Sequence, residues 1–210
     1  MEVHPPQKPI HSVKEFMVHL LAISIGLLIA LGLESSVEWL HHHHQARDAR
    51  ENIYQEIRDN RQDIAAQLNA LPAEEKRLDQ LLGLIDDVQH GRPQRRLGDF
   101  RWTTVILSDS AWNATSSTGA VAFLEYSEVK QYSQLYAAQK LYAAMTERTL
   151  EGRHETNVIL ARLLAPGKLS GADFESARKI ILSQKLRVME FRELDNHLNG
   201  LYNRILPQEK

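Results

Sequence analysis

The 210-residue sequence predicts an all-α protein in which one N-terminal transmembrane helix continues into a stalk and is followed by an antiparallel helical bundle. Three observations carry that expectation. Apolar residues recur at three- and four-residue spacing over long stretches, which lines one face of a helix. An uncharged apolar run near the N-terminus is long enough to cross a bilayer. No two alternating segments joined by turn residues read as a hairpin, and no solenoid-type repeat is present.

The span comes first. FMVHLLAISIGLLIALGL, Phe16 to Leu33, carries no formal charge. At about 1.5 Å per residue it approaches the roughly 30 Å of hydrocarbon that a spanning helix must cross. Val37, Trp39 and Leu40 lengthen its apolar face, and Trp39 suits the membrane interface, where amphipathic rings collect. A cleaved signal peptide is the nearest alternative, with Lys8 and Lys14 as its basic region and Ala30-Leu31-Gly32 as a small-x-small site. The run exceeds the typical signal core of about 7 to 15 residues, so a retained span is favoured. The chain then divides into a short tail, 1–14, a transmembrane helix, 15–40, and an extramembrane bundle, 41–210. Lys8 and Lys14 before the span favour a cytoplasmic N-terminus and a periplasmic bundle, although Arg47 and Arg50 nearly balance them.

One stripe of the span differs from the rest. Ala22, Gly26 and Ala30 repeat every four residues, with His19 one turn before and Glu34 one turn after. Small residues stacked in this way let another helix backbone approach closely, so the stripe predicts helix packing with a membrane partner or a second copy.

Beyond the span, neither glycine nor proline interrupts the sequence until Pro72, which predicts a helical stalk to about Leu71. Ile53, Ile57, Asn60, Ile64, Leu68 and Leu71 form its seam. The charged residues Arg50, Glu51, Glu56, Arg58, Asp59 and Arg61 read as its solvated faces. Pro72 is expected to break the stalk. A second helix then restarts with acids in its first turn, presents Leu78, Leu81, Leu82, Ile85 and Val88, and ends at Gly91 and Pro93. RPQRRLGDFRW reads as a basic loop, and SDSAWNATSSTG as a short helical piece around Trp112. The next helix, capped by Ser127 and closed by Ala165-Pro166-Gly167, places Val129, Tyr132, Tyr136, Gln139, Tyr142 or Ala143, and Met145 in one row. The last starts at a Ser170-x-x-Asp173 capping box and buries Phe174, Ala177, Ile181, Val188, Phe191, Leu198, Leu201, Tyr202 and Ile205.

Composition excludes several functions. A net charge of −2 and a pI near 6.6 give no basic face for nucleic acid. With no cysteine there is no disulfide framework, thiolate zinc site or cysteine nucleophile. Phosphate-cradling glycine loops, nucleophile elbows and H-E-x-x-H motifs are all missing. The one pattern with chemistry is Glu38-x-x-His41 and Glu151-x-x-His154, because two such pairs on facing helices hold the metals of di-iron carboxylate bundles. With ten histidines and 17 glutamates in the chain, chance supplies about one such pair, so these residues, with His44, remain weak metal candidates. The run His41 to His44 winds round a helix, which leaves only His41 and His44 on one face. A partly protonated collar at the interface suits it better than a metal site.

The N-terminal KPIHSVKEFMVHLLAISIGLLIALGLESSVEW resembles the opening of a group of uncharacterised bacterial single-pass membrane proteins, which share an H-S-x-K-E-F lead, an I-G-L-L-I-A-L span and an E-x-x-V-E-W exit. The likeness continues more weakly in AWNATSSTGAVAFLEYSEVKQYSQLYAAQ. It implies a bacterial inner-membrane helical protein and brings no activity or catalytic residue with it. The reading is therefore a non-enzymatic, membrane-anchored accessory or scaffolding subunit with no cofactor, partnered by the lipid bilayer and a membrane protein. The alternatives are a sensor or ligand-binding bundle, which would ordinarily need a second span or an output domain, and a di-metal carboxylate oxidoreductase.

Overall fold

The computed structural model describes residues 13–93, 104–165 and 169–206, which are almost entirely helical and contain no strand. The tail before residue 13, most of the basic loop, and Pro166 and Gly167 lie outside the described residues. The chain divides into two compact units, Met1–Asp48 and Ala49–Lys210.

Helix α1, Val13–Gln89, passes through both units without interruption for 77 residues. Pro72 sits inside it, which corrects the expected break. A proline in a helix interior removes one donor and crowds the carbonyl four residues earlier, at about 3 kcal/mol. Here Pro72 is exposed while Leu71, Glu74 and Leu78 around it are buried, so packing on the far face carries the helix across the defect. The stalk and the expected second helix are therefore one element. Gly91, at φ +65°, turns the chain out of α1, and the Arg92 N–H donates to the Asp87 carbonyl at 2.8 Å, a close on a left-handed residue that glycine adopts without strain.

The second unit contains the outer part of α1, helix α2 (Ser110–Ser117), a 3₁₀ turn (Ala120–Phe123), helix α3 (Tyr126–Leu164) and helix α4 (Gly171–Ile205). Its core positions follow heptads. In α4 the buried residues Phe174, Ala177, Ile181, Gln184, Val188, Phe191, Asp195, Leu198 and Tyr202 alternate by three and four, and Leu194 is buried next to Asp195. Gly152 marks a close approach of α3 and α4, since a methyl group there would overlap the Gln184 amide and the Arg187 guanidinium. Leu82, Val88, Leu201 and Ile205, expected on buried faces, are only half-buried, as is Leu68. The Leu68 position is superseded by Gln67, which lies 3% exposed.

Contacts between helices fix their directions. Arg50 pairs with Glu128 at 2.7 Å, Tyr136 donates to Glu56 at 2.6 Å, and Arg153 donates to Glu74 at 3.0 Å. The partners are separated by 78, 80 and 79 residues, a nearly constant offset, so α1 and α3 run parallel. α4 runs opposite to α1, through Arg178 with Gln89, Lys185 with Asp79, Arg192 with Glu75 and Arg61 with Asn203. It also runs opposite to α3, through Arg162 with Asp173 and Gln139 with Tyr202.

Parallel α1 and α3 require the chain between them to travel back along the bundle. The extended segment 104–109 does so, meeting Arg153 through Thr104 and Asn60 through Ser108 before α2 brings Trp112 onto Tyr136.

Local sequence sets the helix starts. α3 begins at Tyr126, with the Glu125 N–H donating to the Glu128 carboxylate at 3.0 Å, so Ser127 lies within the helix and is not its cap. The N-cap is Glu125, and Arg50 also donates to the Glu128 carboxylate at that end. α4 starts as expected. The Asp173 N–H donates to the Ser170 hydroxyl at 3.3 Å and the Ser170 N–H to the Asp173 carboxylate at 2.9 Å. Ser170→Ala is expected to lower unfolding free energy by about 1 kcal/mol, and Ser170→Gly by only a few tenths. Thermal unfolding of the two variants checks the order.

Candidate functional site

The apolar part of α1 is the first candidate. It contains an 18-residue window of mean hydropathy 2.4, none of it buried, so this helix is long and apolar enough to cross a membrane. His19, Ala22, Gly26, Ala30 and Glu34 all lie on α1 and are exposed, and a Cβ on Gly26 would meet nothing within 4 Å beyond the helix's own neighbouring backbone and adjoining residues. The Ser36 hydroxyl donates back to the Gly32 carbonyl at 2.7 Å, which satisfies it within the helix. Trp39 is 66% exposed and stacks on His43, with ring centroids 5.4 Å apart.

The metal candidates face outward. His41 and His44 are exposed, and Glu38 approaches His42 at 4.0 Å. Glu151 and His154 are exposed too, while Gly152 and Arg153 between them are buried, so that pair lies on the side of α3 away from the core. Among the described residues, no group of three or more His, Asp or Glu side chains could hold a metal ion.

Most of the polar organisation lies where the sequence reading did not place it, inside the bundle. Glu56, expected on a solvated face, is 7% exposed. Its carboxylate accepts from the Tyr136 hydroxyl at 2.6 Å, the Ser108 hydroxyl at 2.7 Å, the Ser110 hydroxyl at 2.9 Å and the Ala111 N–H at 2.8 Å. Burial on its own would raise the carboxyl pKa, but these hydrogen bonds favour the anion more and hold it below the ordinary range. Asn60 completes the arrangement, donating to the Ser108 carbonyl at 2.7 Å and accepting from its N–H at 2.9 Å. Trp112 lies flat on Tyr136 at 5.5 Å and edge-on to Tyr132 at 6.1 Å. Together these contacts fasten the returning segment to α1 and α3.

Further along the bundle, Arg153 and Glu74 form an ion pair with side chains 7% and 5% exposed. The same guanidinium donates to the Thr104 hydroxyl at 2.7 Å. It thus joins α3, α1 and the start of the extended segment.

Between these two groups, Gln139 donates to the Tyr202 hydroxyl at 3.0 Å, and Tyr142 meets Phe191 edge-on at 5.4 Å. Asp195 is fully buried, and neither of its carboxylate oxygens has a hydrogen-bond partner. Burial pushes its pKa up to about 7. The heptad signal could have found it. Asp195 is four residues after Phe191 and three before Leu198, and an acid at such a position is a core residue however polar.

The buried groups pair charges, fasten a crossover and hold one isolated acid. Comparison with protein-family models, with curated proteins and with solved structures finds no match to the chain.

Proposed function

We propose that the protein is a non-enzymatic accessory or scaffolding subunit of a bacterial inner membrane, anchored by a single span in α1. The observation that carries this reading is the fully exposed apolar window of α1, in a helix that continues unbroken into residues buried in the bundle. Exposed apolar area of that length is stable in lipid and unfavourable in water. In this reading Lys8 and Lys14 keep the N-terminus cytoplasmic and the bundle lies in the periplasm. Ala22, Gly26 and Ala30 face a neighbouring transmembrane helix, of a different subunit or a second copy, with His19 and Glu34 at the ends of the contact.

Extraction in mild detergent followed by mass analysis of what co-migrates tests the proposal. The expected outcome is a stable complex that Gly26→Leu weakens while leaving the bundle's unfolding midpoint unchanged. A monodisperse monomer from native membranes would sink it. For orientation, a cysteine placed on the exposed face of α4 should react with an impermeant thiol reagent in intact spheroplasts.

A further inference from the structure

We propose that Asp195 is a proton-operated switch in the bundle core, and that release of its proton to solvent loosens the packing of α4 against α1 and α3.

The geometry isolates this carboxyl. It occupies a core heptad position flanked by Phe191 and Leu198, has no exposed surface, and lacks a donor to either oxygen. On α1 the register of the α1–α4 pairs brings Leu71 to this level, and Gln67, one turn before it, has a buried Oε1 that also lacks a donor. Asp63, also on α1, is exposed, and its negative charge reaches Tyr142 and Tyr202. From α3 come Tyr142 and Gln139, and the Gln139 Oε1 is likewise without a donor. The field of Arg153 on α3 reaches Tyr142, and its two Nη atoms donate to Thr104 and Glu74. α4 itself adds Tyr202, whose hydroxyl accepts from Gln139. The extended segment turns Thr104 to Arg153 and Ser108 to Glu56.

Asp195 therefore sits among uncharged amide and hydroxyl groups, none of which donates to it, and no cation is paired to it among the described residues. A neutral carboxylic acid carries no charge to compensate and can itself donate, whereas a carboxylate can only accept and here accepts from nothing. An unpaired carboxylate in this place is strongly disfavoured unless the core opens to water.

The sign of the effect follows. In the unfolded chain an aspartate titrates near 3.9, whereas burial moves Asp195 to about 7. Below about pH 4 both states hold the proton and its contribution to stability is complete. As pH rises, the unfolded chain gives up the proton first, so stability falls until the folded pKa is passed. Glu56, Glu128, Asp86 and Asp173, all held below their ordinary values, act in the opposite sense and only in more acid solution.

The test uses the full chain in mild detergent, wild type against Asp195→Asn, which keeps the shape and cannot ionise. Between about pH 5 and about 7 the wild-type folding equilibrium should weaken by up to about tenfold per pH unit relative to the variant. The variant should be the more stable of the two above about pH 7. Amide exchange across Phe191 to Tyr202, corrected for its intrinsic pH dependence, should then quicken in the wild type alone. Parallel stability curves, or equal exchange in both proteins, would overturn the proposal. Should Asp195→Asn not fold, infrared spectroscopy of the wild type decides. A protonated carboxyl band that fades with a midpoint near neutrality supports the switch, and absence of that band at about pH 5 refutes it.

Discussion

Arg153→Met is expected to destabilise the bundle by roughly 3–5 kcal/mol, because it leaves the Glu74 carboxylate buried with its charge uncompensated. The side chains of both partners are nearly inaccessible, at 7% and 5% exposed, so water cannot take over the lost contact. Glu74→Leu should be damaging for the same reason, with the guanidinium stranded instead. The double variant should recover much of the loss, since a well-packed apolar pair of similar volume often equals or exceeds a buried ion pair. Thermal unfolding of the two single variants and the double variant gives the interaction energy directly. Strictly additive losses would show that the pair does not couple the two helices. Recovery should fall short of complete, because Thr104 loses its 2.7 Å donor as well, and that hydroxyl anchors the returning segment.

Glu56→Leu is the second large effect, expected to cost about 2–5 kcal/mol. The Tyr136 hydroxyl and the Ala111 N–H lose a partner where little water can replace it, while the Ser108 and Ser110 hydroxyls lie nearer solvent and lose less. Tyr136→Phe should cost considerably less, since it removes one donor and leaves the carboxylate its other three. The pH dependence distinguishes a hydrogen-bonded anion from a packing effect. The folded pKa of Glu56 lies below its ordinary value, so its contribution is complete above the usual carboxylate range and is lost as pH falls through the folded value. Wild-type stability should therefore decline in acid more steeply than that of Glu56→Leu. Equal acid slopes would show that this carboxylate is not the group that latches the segment.

The helices themselves were largely legible before the structure. Buried Ile53, Ile57, Ile64, Leu78, Leu81 and Ile85 in α1, and Phe174, Ala177, Ile181, Val188, Phe191, Leu198 and Tyr202 in α4, follow from three-and-four spacing alone. The box at Ser170 and Asp173 is likewise local, since a cap needs only its own first turn. The interior polar groups were harder to see for opposite reasons. Glu56 lies among Arg50, Glu51, Arg58, Asp59 and Arg61, and one residue of rotation round a helix separates a solvated acid from a buried one. Asp195 keeps the heptad, and only its polarity sets it apart from the core residues on either side. Pro72 misled because an intrinsic preference of a few kcal/mol is smaller than the packing of Leu71, Glu74 and Leu78 along the same face.

The candidate sites divide in the same way. Ala22, Gly26 and Ala30 share a stripe because of helical period, and no tertiary contact was needed to place them there. The Glu38–His41 and Glu151–His154 spacing also survives, but spacing fixes only that two side chains share a face, not which face. At Glu151 and His154 that face points away from the core.

By itself the sequence determined what depends on near neighbours along the chain: the all-α class, the apolar window of α1, the faces that the long helices bury and the start of α4. Each rests on a backbone period or a first-turn hydrogen bond and is complete within a few residues. Only the tertiary structure decided that α1 and α3 run parallel, that the segment from Thr104 to Trp112 returns along them, and that Glu56, Glu74, Arg153 and Asp195 lie inside. Those outcomes depend on which surfaces meet across 50 to 120 residues of chain. The free energy of burying a charge is set by whatever stands opposite it, and that partner is not written next to it in the sequence.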